Sequence, residues 1–167
     1  MDNIDFEMLL DKHISVFEQT IGGDYENLLF QKNFYYAQDL SKAKFIHGVQ
    51  YSTVSVSLDE DERIKSITTQ FREIIDSNFI KKIISKYGDP KNVLIIKNKQ
   101  SESETLLKNE NGIITQRLIK SNYDLVEGNL NEKPVYIIWN NKNIELKLFF
   151  RYEQNISELT FKKHNGI

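Results

Sequence analysis

A chain of 167 residues is long enough to bury a core of its own, and with no cysteine it must do so without disulfides, thiolate metal sites or a cysteine nucleophile. Its 22 basic and 24 acidic residues give a formal net charge of −2, and the basic ones are scattered and mostly lysine, which argues against nucleic acid as a partner. No run approaches the roughly 18 apolar residues of a membrane span, and the start (Asp2, Asp5, Glu7) is acidic where a secretory leader is basic, so a soluble cytoplasmic protein with no membrane partner is expected.

Phe6, Leu9, Leu10, His13, Ile14 and Phe17 recur at helical spacing and predict a helix over residues 4–20, with His13 on the core-facing stripe. Asp2, Asn3 or Asp5 can cap its start, and Gly22-Gly23 ends it. Within 24–40, Leu28, Leu29, Phe30, Phe34, Tyr35 and Tyr36 fit a turn of helix followed by an extended segment. Successive side chains of a strand point to opposite faces, so an extended segment exposes at least one of Tyr35 and Tyr36. Such a tyrosine is either an ordinary surface residue or a binding anchor.

The clearest hairpin comes next. Val54, Val56 and Leu58 share one face and Thr53, Ser55 and Ser57 the other. The tip is Asp59, Glu60, Asp61 and Glu62, and the return strand places Ile67, Thr69 and Phe71 on one face. A helix follows with Ile75, Phe79, Ile80, Ile83, Ile84 and Tyr87 on a single stripe. Asp76 or Ser77 can cap it, Lys81, Lys82 and Lys86 suit its C-terminal half, and Gly88 and Pro90 stop it.

Residues 92–97 read as a short central strand. Asn111-Gly112 predicts a two-residue turn between Thr105-Leu106-Leu107 and Ile113-Ile114-Thr115, and 98–133 reads as a peripheral hairpin with loose flanks. The tail is a three-strand meander. Its first strand, Val135-Tyr136-Ile137-Ile138-Trp139, is apolar enough to be covered on both sides, and in the next Ile144, Leu146, Leu148 and Phe150 alternate with polar residues. These elements predict one α+β domain over 1–167: a curved antiparallel sheet, built from 49–71 and 134–163, with an N-terminal helix and a central helix packed on it.

Catalytic chemistry is hard to find in the sequence. His13, His47 and His164 are far apart, and no nucleophile elbow, phosphate loop or zinc-protease motif occurs. The chain is therefore expected not to be an enzyme and to carry no metal or cofactor. Taking Asp59 as the first ligand of an EF-hand loop puts Ile64 where glycine is needed and Gln70 where glutamate is needed. The acidic tip is thus a weak cation site, a finger offered to a basic partner, or a solvated turn.

The hairpin with its charged tip, the lysine-bearing helix ending Lys86-Tyr87-Gly88-Asp89-Pro90 and the tryptophan-containing tail resemble in layout the β-lactamase-inhibitor-like proteins, small bacterial α+β binding proteins. The long 98–133 region and the lack of cysteine depart from that family, so no functional residue is carried over. In size, mild acidity and lack of catalytic motifs the chain also resembles bacterial immunity proteins that antagonise toxins. That resemblance implies a protein partner, a toxin with a basic surface, met by Asp59, Glu60, Asp61 and Glu62, with Tyr35 or Tyr36 filling a pocket. The alternative is a small-ligand protein or enzyme whose site, inside the curved sheet, is lined by Tyr51, Tyr136 and Trp139.

Overall fold

The computed structural model describes residues 3–21, 25–27, 33–37, 45–141 and 143–164, with 25–27 and 33–37 described by their backbone. In chain order the strands are β1 (Tyr25–Asn27), β2 (Asn33–Ala37), β3 (Phe45–Ile46), β4 (Val49–Gln50), β5 (Thr53–Leu58) and β6 (Ile64–Phe71). They continue as β7 (Asn92–Lys108), β8 (Ile114–Glu127), β9 (Tyr136–Asn140), β10 (Ile144–Arg151) and β11 (Ile156–Lys163). Among the described residues there are also two helices, α1 (Ile14–Ile21) and α2 (Ser77–Tyr87), and 3-10 turns at Phe6–Leu9 and Tyr152–Gln154. It divides into two compact units, one of residues 1–92 with 136–167 and one of 93–135.

The first unit is α+β, as expected. Seven of its strands form a curled antiparallel sheet in the order β1-β2-β5-β6-β11-β10-β9, while β3 and β4 pair separately. Strict alternation sets the buried face. Val54, Val56, Leu58, Ile67, Phe71, Leu146, Leu148, Leu159 and Phe161 are all buried, and the residues between them make a polar outer face. Ladder pairs such as Thr68–Thr160, hydroxyl to hydroxyl at 2.9 Å, fasten that outer face.

α2 lies on the buried face. Asp76 is its cap, its carboxylate accepting the Phe79 N–H at 2.9 Å, and Gly88 ends it at φ 81°. Phe79 and Ile83 are buried, and the Phe79 ring meets Phe71 of β6 edge-on at 5.5 Å. Trp139 of β9 donates its indole N–H to the Gly88 carbonyl at 3.0 Å, which fixes the far end of the helix to the sheet. A second aromatic cluster forms where Phe6 packs against Phe17, Tyr51 and Phe161.

The N-terminal helix is not continuous. Its apolar stripe is buried as predicted (Phe6, Leu9, Leu10, Ile14, Phe17), but the chain breaks at Asp11, which has a φ of 66°. The reason is competition for the backbone. Asp11 N–H donates to the Ile64 carbonyl, Ile64 N–H to Lys12, and Ile14 N–H to Glu62, so the groups a helix would use are spent on the start of β6. His13 is corrected with it: it is exposed, not in the core, and its Nε2 lies 3.2 Å from the Glu62 carboxylate. The Gly22-Gly23 stop, an Asp2 cap and the helical turn at Leu28 to Phe30 lie outside the described residues.

Two further expectations change. The sheet extends beyond 49–71 and 134–163, because β1 and β2 add to the β5 side. In β9 burial alternates, with Ile137 and Trp139 buried and Tyr136 and Ile138 half-buried, so the strand is not equally covered on both sides.

Candidate functional site

The four acidic residues of the β5–β6 tip have separate roles. The Asp59 carboxylate accepts the N–H groups of Asp61 at 3.0 Å and Arg63 at 2.9 Å, so it builds the turn. Glu62 sits at φ 58° and pairs with His13. Arg63 donates to the Asp11 carbonyl, and the Asp11 carboxylate pairs with Lys163 at 2.8 Å. That hydrogen bond, with the charges of Lys163, Arg63 and Lys12, holds the Asp11 carboxyl below its ordinary pKa. The tip is therefore interleaved with cations of its own chain, and Glu60 and Asp61 are exposed at its turn. Asp59→Ala should lower stability by about 1 kcal/mol through loss of two bonds to the turn, while Asp61→Asn should leave it unchanged. Urea denaturation of both variants checks this, and equal midpoints would deny Asp59 its role in the turn.

Tyr35 and Tyr36 lie on β2, with Tyr35 opposite Ser55 and Tyr36 opposite Val54. At about 3.3 Å per residue they stand roughly 13 and 17 Å along the sheet from the level of Asp59. Their side chains lie outside the described residues. The aromatic trio of the alternative reading is split. Tyr51 and Trp139 are core residues, whereas Tyr136 lies on the outer face, stacked on Phe149 at 4.6 Å with the Lys147 ammonium 5.6 Å from its ring centre. A strand with period 2 cannot turn positions 136 and 139 to the same side.

An ionisable cluster in the first unit joins the N-terminal segment to α2. The Lys86 ammonium lies 3.1 Å from Asp5 and 3.2 Å from Glu7, and the Tyr87 hydroxyl donates to Glu7 at 2.9 Å. Burial opposes the Lys86 charge, but its bonds to Tyr87, Asp5 and Glu7 outweigh burial and raise its pKa above the ordinary lysine value. Burial pushes the Tyr87 hydroxyl up to about 12. Nearby, His47 sits edge-on to Phe79, and its carbonyl accepts the Lys82 ammonium at 2.6 Å. Burial first, then the charges of Lys86 and Lys82, lower its pKa and keep it neutral. All three groups hold one charge state through neutral pH.

The second unit is a ribbon. β7 and β8 pair antiparallel from Leu94 opposite Glu127 to Lys108 opposite Ile114. The stretches 98–104 and 120–127, expected to be loose, belong to this ladder, and 92–97 is only the beginning of β7. The turn is also larger than predicted. Asn109 N–H donates to the Ile113 carbonyl, and the Asn109 side chain accepts the N–H groups of Asn111 and Ile113. A two-residue turn of type I′ needs positive φ at both central residues; here Gly112 has φ 75° and Asn111 does not share it. Polar pairs line the ribbon: Arg117 with Glu104, Lys99 with Glu102, Gln100 with Asp124 and Asn122 with Ser101. Being exposed, they set register more than they add stability.

No residue of β7 or β8 is buried. Of the twelve large apolar side chains exposed among the described residues, ten lie in the second unit, including Leu106, Leu107, Ile113, Ile114, Leu118 and Ile119. Sequence reasoning placed a hairpin here without recognising this surface. The available signal was apolar residues on both sides of the turn with no third strand or helix beside them in sequence.

Among the described residues no group of three or more His, Cys, Asp or Glu side chains is placed to hold a metal ion, and no helix is long and apolar enough to cross a membrane. No family model, curated protein or solved structure matches the chain.

Proposed function

We propose that the protein is a non-catalytic module that binds another protein, and in its most specific form an immunity-type antagonist that covers a toxin's surface. The observation that carries the binding role is the β7–β8 ribbon, whose exposed apolar residues cluster toward its turn. A two-stranded ribbon is marginal in water by itself, and a soluble chain rarely displays more than a few hundred Å² of contiguous apolar surface unless something docks there. The leucines and isoleucines near the turn would form the contact. The toxin assignment draws its support from the chain's size, its net charge of −2 and its resemblance in type to immunity proteins.

Replacing Leu106, Leu107 and Ile113 with Ser tests this. These side chains are 42%, 43% and 62% exposed, so the melting temperature should hold. Protein captured by the parent chain from its host should be lost by the variant. If the antagonist form holds, the captured protein is a toxin that the parent neutralises and the variant does not. Identical capture by both chains would remove the ribbon from the binding surface.

A further inference from the structure

We infer that the protein pairs with a second copy of itself, edge to edge along β8, with Asn122 on the two-fold axis. Among the described residues β7 is the one strand that pairs with β8, so the outer edge of β8 carries no ladder. The extra residues of the ribbon's irregularities fall on β7, at Lys97 and Gln100, and on β8 only at Thr115 beside the turn. Residues 116–127 thus run as a regular edge. Sheets ordinarily blunt such an edge by shortening it, bulging it or placing proline or lysine on it. This strand has 14 residues and no proline.

Its charges do not blunt it either, because β8 is complementary to its own reverse. When two copies run antiparallel with Asn122 opposite Asn122, Lys120 meets Asp124, Ile119 meets Leu125, Leu118 meets Val126 and Arg117 meets Glu127. Each pair occurs twice, as an isologous two-fold contact requires. Directly opposed residues share a face, so Ile119 and Leu125 meet on one face while Leu118 and Val126 meet on the other. Ile119, Leu118 and Leu125 are 58%, 46% and 41% exposed, leaving them surface to cover.

The register is specific. Centring the pair on Ser121 sets Leu118 against Asp124 and Arg117 against Leu125. Centring it on Tyr123 sets Lys120 against Val126 and Ile119 against Glu127. A shift in either direction opposes charges to apolar side chains, so the centre at Asn122 is selected by charge and hydrophobic match together. This contact goes beyond the proposed binding of a different protein and does not depend on it. It is read on the purified chain alone and at residues that the serine variant leaves intact, so either proposal can fail without the other.

Sedimentation of the full chain between roughly 1 and 100 µM should show a reversible dimer of standard affinity. Lys120→Asp puts like charges opposite each other twice and should weaken that dimer about tenfold or more. Combining Lys120→Asp with Asp124→Lys restores opposite charges, and should return the affinity to within about threefold of the parent. Because the chain has no cysteine, Asn122→Cys adds a unique thiol that should cross-link two copies under mild oxidation. Gln116→Cys should not, since this register holds the two introduced thiols about 40 Å apart. A parent that stays monomeric across that range, a double reversal as weak as the single one, or equal cross-linking at 116 and 122 would each overturn the inference.

Discussion

Ile83→Asp should leave the first unit unfolded at room temperature. Ile83 is fully buried on the face of α2 that meets the sheet, one turn from Phe79. Removing its side chain costs about 2–5 kcal/mol for lost burial and the cavity left behind. A carboxylate in the same place has no partner and adds several kcal/mol of desolvation, either as buried charge or as the work of protonating it. Together these approach the roughly 5–15 kcal/mol that holds a domain folded. Far-UV circular dichroism should show lost helix and no cooperative melt. Lys81→Asp, on the exposed side of the same helix, should melt close to the parent. A parent-like melt for Ile83→Asp would mean that α2 does not pack as described.

Trp139→Ala should cost about 3–5 kcal/mol, and Tyr136→Ala, three residues earlier in the same strand, only about 1 kcal/mol. Trp139 is 1% exposed and binds the Gly88 carbonyl, so its loss opens a large cavity and releases the end of α2. Tyr136 is half-buried on the outer face, where it loses its stacking on Phe149 and the neighbouring lysine. Urea unfolding with linear extrapolation measures both, at equal slope. Similar losses at the two sites would contradict their placement on opposite faces. They would also reopen the idea of a shared aromatic-lined site with Tyr51.

Part of the candidate site was legible in the residues. The acidic tip is there, between the two strands that alternation defines, and the apolar pairs Leu106-Leu107 and Ile113-Ile114 on either side of Asn111-Gly112 announce a turn. What could not be read was the division of labour within the tip. Asp59 and Glu62 owe their roles to Arg63 and His13, and His13 comes close only because the chain breaks at Asp11. The ribbon's length was hidden for a different reason. In β7, residues 98–104 are polar on both faces and bulges at Lys97 and Gln100 interrupt the period of 2. In β8, residues 120–122 are polar and the adjacent Leu125-Val126 pair breaks the alternation, so neither stretch announces a strand.

Local chemistry in the chain was enough for the β5–β6 hairpin, for α2 with a cap at Asp76 or Ser77 and a stop at Gly88, and for the β9-β10-β11 meander, because each is built by neighbours in sequence. Periodicity also named the core, since Val54, Phe71, Ile83 and Leu148 announce their buried face from spacing alone. Only the folded chain could decide that β6 pairs with β11, setting Phe71 opposite Ser157 and Ser66 opposite Lys162, and so joining two hairpins into one sheet. It alone could decide that residues 11–14 abandon a helix to bond with β6. Alternation tells a strand which face to bury but not which distant strand to lie beside. That choice is made by ladder hydrogen bonds and packing between residues nearly a hundred positions apart, such as Thr69 and the Leu159 carbonyl.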